Sequence, residues 1–196
     1  AWIRKHPVVH IGFPSGFAPF SFLENGKTPA GMTADYLELL SKRSGISLSI
    51  TATGPQSEIM SQVRDRVIDG IACALMTPEQ EADLKFTDAY INMPWVIITR
   101  TDSPFISGLE DLRGKKIASP KSDAVYEMLR GYHDIEILET ESPGWTWKAV
   151  SMGEADAGIS NLTSAGYYIT KERITNLKVA KVMQRETSLS IGIRGD

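Results

Sequence analysis

The residues able to do chemistry are few and scattered along the chain. His6, His10 and His133 stand far apart, with no metal-ligand spacing to one another or to Cys73. No Ser, Cys or Thr lies in a nucleophile elbow or a phosphate-binding loop. The sequence therefore predicts a protein that is not an enzyme, holds no metal and needs no cofactor.

Cys73 is the single cysteine, so a disulfide within the chain is excluded. It lies in the apolar run of residues 71–75, which is typical of a buried strand. We therefore predict that Cys73 is a small buried hydrophobe rather than a reactive thiol.

The composition is that of an ordinary globular protein. The 196 residues are 42% hydrophobic and 23% charged, which argues against a disordered or coiled-coil chain. Twenty-one Lys and Arg face 24 Asp and Glu, so no basic surface for nucleic acid or anionic lipid is expected. No apolar stretch approaches the roughly 18 residues of a membrane span. The chain begins at Ala1 without the features of a signal peptide, as expected of a processed piece.

Short β-rich runs alternate with helical patterns along the chain, which predicts parallel α/β sheets. The stretch 14–31, rich in Gly and Pro, is predicted to be a loop. Helices are predicted from Thr33 to a stop at Gly45, over residues 59–67, over residues 123–131 and from Gly144. The predicted strands are residues 8–13, 46–52, 71–75, 95–100, 116–118, 135–138, 157–160, 179–183 and 189–193.

The two halves of the chain repeat one plan. Asp69 and Asp156 occupy corresponding places, each at the turn between a helix and a small apolar strand. The remaining strands allow two crossings between two lobes, which we expect near residues 99–103 and 183–188. Two crossings predict a hinge.

Five motifs carry a resemblance to a known family. In their order and spacing they resemble the family 3 extracellular solute-binding proteins, and together they span nearly the whole chain. Residues 158–168 and 175–179 are more similar to the periplasmic sensor domains of bacterial transmembrane histidine kinases than to the free transport proteins. The motifs are PFSF at residues 19–22 with Gly31, MTPE at 76–79, FTDAY at 86–90, LEDLRGKKI at 109–117 and EADA at 154–157.

The resemblance implies an α/β Venus flytrap with a two-lobe periplasmic-binding-protein-like fold and two crossover strands at the hinge. Lobe 1 would be residues 1–99 plus 185–196, and lobe 2 would be residues 100–184. A small solute would close the cleft between them, on the periplasmic or extracellular face of the inner membrane. Helix N-termini of both lobes are expected to offer unpaired backbone N–H groups to a polar or anionic solute.

The resemblance also implies which residues contact the solute. In the first loop, Ser15 would supply a polar group and Phe17 an aromatic platform, while Phe20 is a weaker candidate because a core position suits it better. The other implied contacts are Met76, Thr77, Gln80, Ser122, Asp123 and Asn161.

Several of these positions depart from the amino-acid-binding members of the family. Gln80 stands where those members place an Arg for the solute carboxylate, and Asn161 stands where they place an Asp for the α-ammonium. Residues 72–75 lack the expected hydroxyl groups, and Asp123 is better suited to capping its own helix. We therefore predict a neutral or weakly charged solute, not a standard α-amino acid. The alternative is a degenerate cleft that closes without a ligand.

Three functions remain open at this point. The first is a sensor domain whose closure regulates a membrane-bound histidine kinase in the same polypeptide, in two-component signal transduction. The second is a soluble periplasmic substrate-binding protein that feeds an ABC importer. The third is a periplasmic lyase or cell-wall enzyme module on the same fold, with Asp123 and Glu79 as its acid and base. We predict the first.

Overall fold

The chain folds into alternating strands and helices, as the sequence predicts. The structure is a computed structural model that describes residues 7–76, 78–121 and 124–196. The helices are α1 Met32–Ser44, α2 Gln56–Arg64, α3 Pro78–Glu81, α4 Ala124–Leu129, α5 Pro143–Met152 and α6 Leu162–Lys171, with a 3₁₀ turn at Leu109–Leu112. The strands are β1 Val8–Pro14, β2 Phe22–Glu24, β3 Thr28–Ala30, β4 Ser47–Gly54, β5 Gly70–Leu75, β6 Leu84–Phe86, β7 Ile91–Arg100, β8 Lys116–Pro120, β9 Glu136–Thr140, β10 Ala157–Asn161 and β11 Leu177–Arg194.

These elements form two compact units. Unit 1 consists of Ala1–Asn92 and Ser188–Asp196, and unit 2 of Met93–Thr187. Strands β7 and β11 each contain residues of both units. The predicted α/β class is confirmed.

Unit 1 is built on a sheet with the strand order β4-β1-β5-β11. β1 runs parallel to both β4 and β5, whereas β11 is antiparallel to β5 and to β6. Close packing of α2 on β1 requires a residue without a side chain at Gly12, because a Cβ there would lie 2.3 Å from Ile59 Cγ2. Two apolar clusters form the core, one with Val9, Ile11, Phe13, Leu37, Ala72 and Ile191, the other with Ala52, Ile59, Met60, Val63, Ile68, Ile71, Ala74 and Leu84.

Unit 2 repeats this arrangement with the strand order β9-β8-β10-β7 and β11 next to β7. β8 is parallel to β9 and β10, and β7 is antiparallel to β10. The fully buried Trp147 of α5 packs against β10, where a Cβ on Gly158 would lie 2.7 Å from its ring. The close packing of Trp147 therefore requires a residue without a side chain at position 158 of this strand.

The correspondence between the two halves extends to individual hydrogen bonds. In unit 1, Asp69 N donates to His10 O at 2.8 Å, and Asp69 Oδ2 accepts from His10 N at 2.8 Å. In unit 2, Asp156 N donates to Lys116 O at 2.7 Å, and Asp156 Oδ2 accepts from Lys116 N at 2.9 Å. Each aspartate thus ties the start of one parallel strand to its neighbour, as their matching sequence positions predict.

In each unit, an arginine in the corresponding place binds the backbone next to this aspartate. Arg194, at the end of β11, donates from Nη1 to Ile68 O at 3.1 Å. Arg100, at the end of β7, donates from Nη1 to Ala155 O at 2.8 Å. Strands β11 and β7 therefore each end in an arginine whose guanidinium donates to the backbone carbonyl of the residue before the aspartate.

The predicted loop at residues 14–31 is wrong in part, because the structure places the β2–β3 hairpin there. Asn25 and Gly26 form its turn, with φ of 51° and 69°. Left-handed backbone at an Asn-Gly pair matches the twist of a two-stranded ribbon. This dipeptide therefore indicates a β-hairpin, which the loop prediction based on Gly and Pro content overlooked.

The two separate strands predicted at 179–183 and 189–193 are also wrong, because β11 is continuous over 18 residues. The intervening polar side chains are used within their own units. Thr187 Oγ1 accepts from Trp95 Nε1 at 2.7 Å, and Ser188 Oγ donates to Asn92 Oδ1 at 2.7 Å. Side-chain hydrogen bonds therefore support extended backbone where the hydrophobic pattern breaks off.

Candidate functional site

The carboxyl edge of unit 1 is formed by the ends of β1, β4 and β5, at Pro14, Gly54 and Leu75. Ligands of open α/β sheets bind beyond the carboxyl ends of parallel strands. Ser15 follows β1 at this edge, and its N–H donates to Gly54 O at 2.8 Å. Met76 follows β5, with half of its side chain exposed.

The first loop presents one of its two aromatic rings and buries the other. Phe17 is half-buried, and its N–H donates to Ser21 O at 2.8 Å. Phe20 is fully buried, with its ring centroid 5.0 Å from that of Phe17. Phe20 thus supports Phe17 from the interior of unit 1, so Phe17 is the ring available at the edge.

Of the remaining predicted contacts, which lie after β5 in unit 1 and before α4 in unit 2, the structure describes only one. Gln80 is half-buried in α3. Thr77, Ser122 and Asp123 lie outside the described residues. Their contact with a solute stays a prediction.

The N-terminal amides of α1 contradict the expectation that they are free for a solute. Met32 N donates to Pro19 O at 3.2 Å, and Thr33 N donates to Phe20 O at 2.9 Å. The chain makes this close approach through Gly31, which has a φ of 101°. The first loop therefore occupies the place that an anion would take at this helix.

Two helices that begin at the carboxyl edge of unit 2, α5 and α6, are each capped by the side chain of their N-cap residue. This edge is formed by the ends of β8, β9 and β10, at Pro120, Thr140 and Asn161. Asn161 is 7% exposed, and its Oδ1 accepts from Ser164 N at 2.8 Å as the N-cap of α6. Ser142 Oγ likewise accepts from Trp145 N at 3.4 Å at the start of α5. Part of the Asn161 amide thus serves the fold, and its contact with a solute stays a prediction.

Glu139 forms a cluster of polar side chains at this edge that sequence reasoning missed. Its Oε1 accepts from Tyr126 OH at 2.5 Å, and its Oε2 lies 3.7 Å from Lys121 Nζ. The hydrogen bond from Tyr126 lowers the pKa of Glu139, and the same bond raises the pKa of Tyr126. Because Lys121 and Tyr126 flank residues 122–123, Glu139 joins both sides of the segment that carries two predicted contacts.

Trp95 and Arg185 form a third feature that sequence reasoning missed. Trp95 is 5% exposed, and Arg185 Cζ lies 4.4 Å from its ring centroid. In the β10–β7 ladder, Trp95 stands directly opposite Asn161. The available signal was an arginine on one predicted crossing strand and a tryptophan on the other. Because Arg185 and Trp95 lie 90 positions apart in the sequence, nothing in the sequence pattern connects them.

Cys73 is buried, as predicted, at 4% exposure. Burial raises the pKa of its thiol to about 11. Nearby, Tyr90 OH donates to Ala72 O at 3.1 Å and lies 3.0 Å from Thr33 Oγ1. This polar cluster is internal to unit 1 and leaves the thiol protonated at neutral pH.

Within residues 7–76, 78–121 and 124–196, no group of at least three His, Cys, Asp or Glu side chains is arranged to hold a metal ion. In those same ranges, no helix is both long and apolar enough to cross a membrane.

Residues 9–156 match the model of the bacterial extracellular solute-binding proteins, family 3. The chain belongs to this family. The predicted family is confirmed.

The relatives of this chain include sensor proteins. The virulence sensor protein BvgS of Bordetella pertussis is 26% identical over 183 residues, which are 93% of this chain and 15% of BvgS. The solved BvgS periplasmic VFT2 domain has a TM-score of 0.79 at 24% identity, covering 98% of this chain and 83% of that one. A solved histidine kinase sensor domain with similarity to periplasmic binding proteins has a TM-score of 0.78 at 25% identity, covering 98% of this chain and 84% of that one.

These matches confirm the Venus-flytrap fold and the likeness to periplasmic sensor domains of histidine kinases. They agree with the predicted periplasmic or extracellular location. The chain spans only about 15% of the length of BvgS.

Proposed function

We propose that this chain is the small-solute-binding periplasmic sensor domain of a membrane-bound histidine kinase, and that its closure on a solute regulates the kinase. The observation that carries the proposal is the match to a sensor protein over 93% of the chain. The fold similarity to a solved kinase sensor domain supports it. A solute that prefers the closed state shifts the population toward it, which is all that a sensor requires.

The carboxyl edges of the two units are the surfaces proposed to take the solute. At unit 1, Ser15 offers a hydroxyl and Phe17 a ring, beside the exposed thioether of Met76. At unit 2, the buried Asn161 offers an amide. Apolar platforms with a few placed polar groups are typical of small-molecule sites, and none of these side chains is a catalytic acid, base or nucleophile.

The solute is proposed not to be a standard α-amino acid. An α-ammonium needs a carboxylate, and position 161 supplies a neutral amide whose Oδ1 already accepts from Ser164 N. Position 80 supplies a glutamine where a guanidinium would hold the α-carboxylate. The two groups that define an amino acid are therefore not matched at these two positions.

The gene sequence beyond Asp196 tests the sensor proposal against an importer subunit. We expect the reading frame to continue into a membrane-spanning segment and a kinase, because a sensor must connect the solute to the catalytic domain within one polypeptide. A frame that stops within one helix after Asp196 would instead favour the substrate-binding protein of an ABC importer.

A further inference from the structure

Arg185 is held in a fixed place by an aromatic ring. Its Cζ lies 4.4 Å from the ring centroid of Trp95, within the range of a cation–π interaction. The ring itself is immobilised, because Trp95 is 5% exposed and its Nε1 donates to Thr187 Oγ1 at 2.7 Å. The guanidinium of an exposed strand residue is therefore pre-oriented.

The position of this stack coincides with the carboxyl edge of unit 2. Trp95 stands directly opposite Asn161 in the antiparallel β10–β7 ladder, so the two side chains share one face of the sheet. Asn161 is the last residue of β10, whose parallel partner β8 ends at the same edge. Arg185 thus lies where an α/β sheet receives its ligand.

The guanidinium of Arg185 and the side-chain N–H group of Asn161 are not used by the described part of the protein. Within residues 7–76, 78–121 and 124–196, the guanidinium of Arg185 has no carboxylate at ion-pair distance and no hydrogen bond. Asn161 Oδ1 caps α6, but its Nδ2 has no acceptor among those same residues, although the side chain is 7% exposed. In those ranges, the side-chain amide N–H of Asn161 and the stacked guanidinium of Arg185 are therefore both donors without an acceptor.

We propose that Arg185, assisted by Asn161 Nδ2, binds a carboxylate of the solute. This rests on the proposed solute-binding function and specifies its ligand class. The planar guanidinium fork matches the two oxygens of a carboxylate, and stacking on Trp95 fixes the plane of that fork. Asn161 alone favours a neutral solute, whereas Arg185 supplies a cation from β11 at the same edge of unit 2. The ligand class is therefore an organic acid without an α-ammonium group.

Paired acid and amide probes test the proposal on this chain. Benzoate and acetate are titrated against benzamide and acetamide by calorimetry, and the Trp95 indole N–H resonance is followed by NMR. The Arg185→Gln variant removes the charge. Arg130→Gln is its matched control, because Arg130 is an exposed arginine of α4's C-terminal end that pairs with Glu127 at 3.4 Å. Inorganic phosphate is a further arm, which distinguishes a carboxylate site from a general anion site.

We expect benzoate to bind more tightly than benzamide by about 10- to 100-fold, which is the range for a charge-assisted hydrogen bond. Benzoate should shift the Trp95 indole resonance, and Arg185→Gln should abolish both effects while Arg130→Gln leaves them intact. Equal affinity for acid and amide, or binding of benzoate unchanged by Arg185→Gln, would overturn the role of Arg185 while leaving solute binding intact. Failure of every probe to bind would overturn the carboxylate proposal. A phosphate affinity equal to that of benzoate would overturn the carboxylate preference.

Discussion

Replacing Gly31 by alanine is expected to lower the free energy of unfolding by at least about 3 kcal/mol, at the upper end of single substitutions. Gly31 has a φ of 101°, a conformation that residues with a side chain rarely adopt. A Cβ there would also lie 2.5 Å from Pro19 O and 2.6 Å from Phe20 O. Both contacts are with backbone, so relief requires moving the first loop that carries Phe17.

Gly26→Ala is the matched control for this substitution. Gly26 has a φ of 69° at the hairpin turn, and a Cβ there would meet nothing within 4 Å. It should therefore lose only the cost of left-handed backbone, about 1 kcal/mol. Urea denaturation followed by circular dichroism measures both variants. Equal losses for Gly31→Ala and Gly26→Ala would show that the close approach to the first loop is not what requires glycine at position 31.

The standard α-amino acids are expected to bind at roughly millimolar affinity or not at all. An ammonium removed from water without a carboxylate partner costs several kcal/mol, which separates micromolar from millimolar binding. Asn161 cannot supply that charge, and even a carboxylate held by Arg185 would leave the ammonium unmatched. Calorimetry or thermal-shift screening against all the standard amino acids measures this.

The Asn161→Asp variant adds a test in the opposite direction to the same experiment, because it should raise the affinity for amino acids. Aspartate retains an acceptor for Ser164 N and is a good N-cap, so α6 should be preserved. The added charge should raise the affinity for amino acids above that of the original chain. A micromolar affinity of the original chain for any standard amino acid, lost in Gln80→Ala or Asn161→Ala, would contradict the interpretation of both positions.

The sequence predicted most of the elements because the hydrophobic period is clear in them. The run at residues 71–75 is a buried strand, α1 ends at Gly45 in left-handed conformation, and the aspartates of the two halves make matching hydrogen bonds. The short helix Pro78–Glu81 and strand Leu84–Phe86 were missed, since elements of three or four residues are too short to show a period.

The failures at β11 and at the β2–β3 hairpin have a different physical cause. In β11 and the β2–β3 hairpin, extended structure is determined by side-chain hydrogen bonds and turn conformation rather than by alternating hydrophobicity. At the candidate site, sequence reasoning followed family positions and concluded that cations are absent. Arg185 escaped this reasoning because only the pairing of strands brings it to Trp95.

The most direct test of the central claim is the autophosphorylation of the full-length protein with its two units cross-linked. Single cysteines are introduced at Ser15 in unit 1 and at Ser122 in unit 2, and bismaleimides of graded length join them. The native Cys73 does not interfere, because it is buried and its thiol pKa is raised to about 11. Each single-cysteine variant with the same reagent is the control. We predict that kinase activity changes with the length of the cross-link, because the proposed function makes closure the signal. Activity equal to that of the single-cysteine controls at every length would contradict the account.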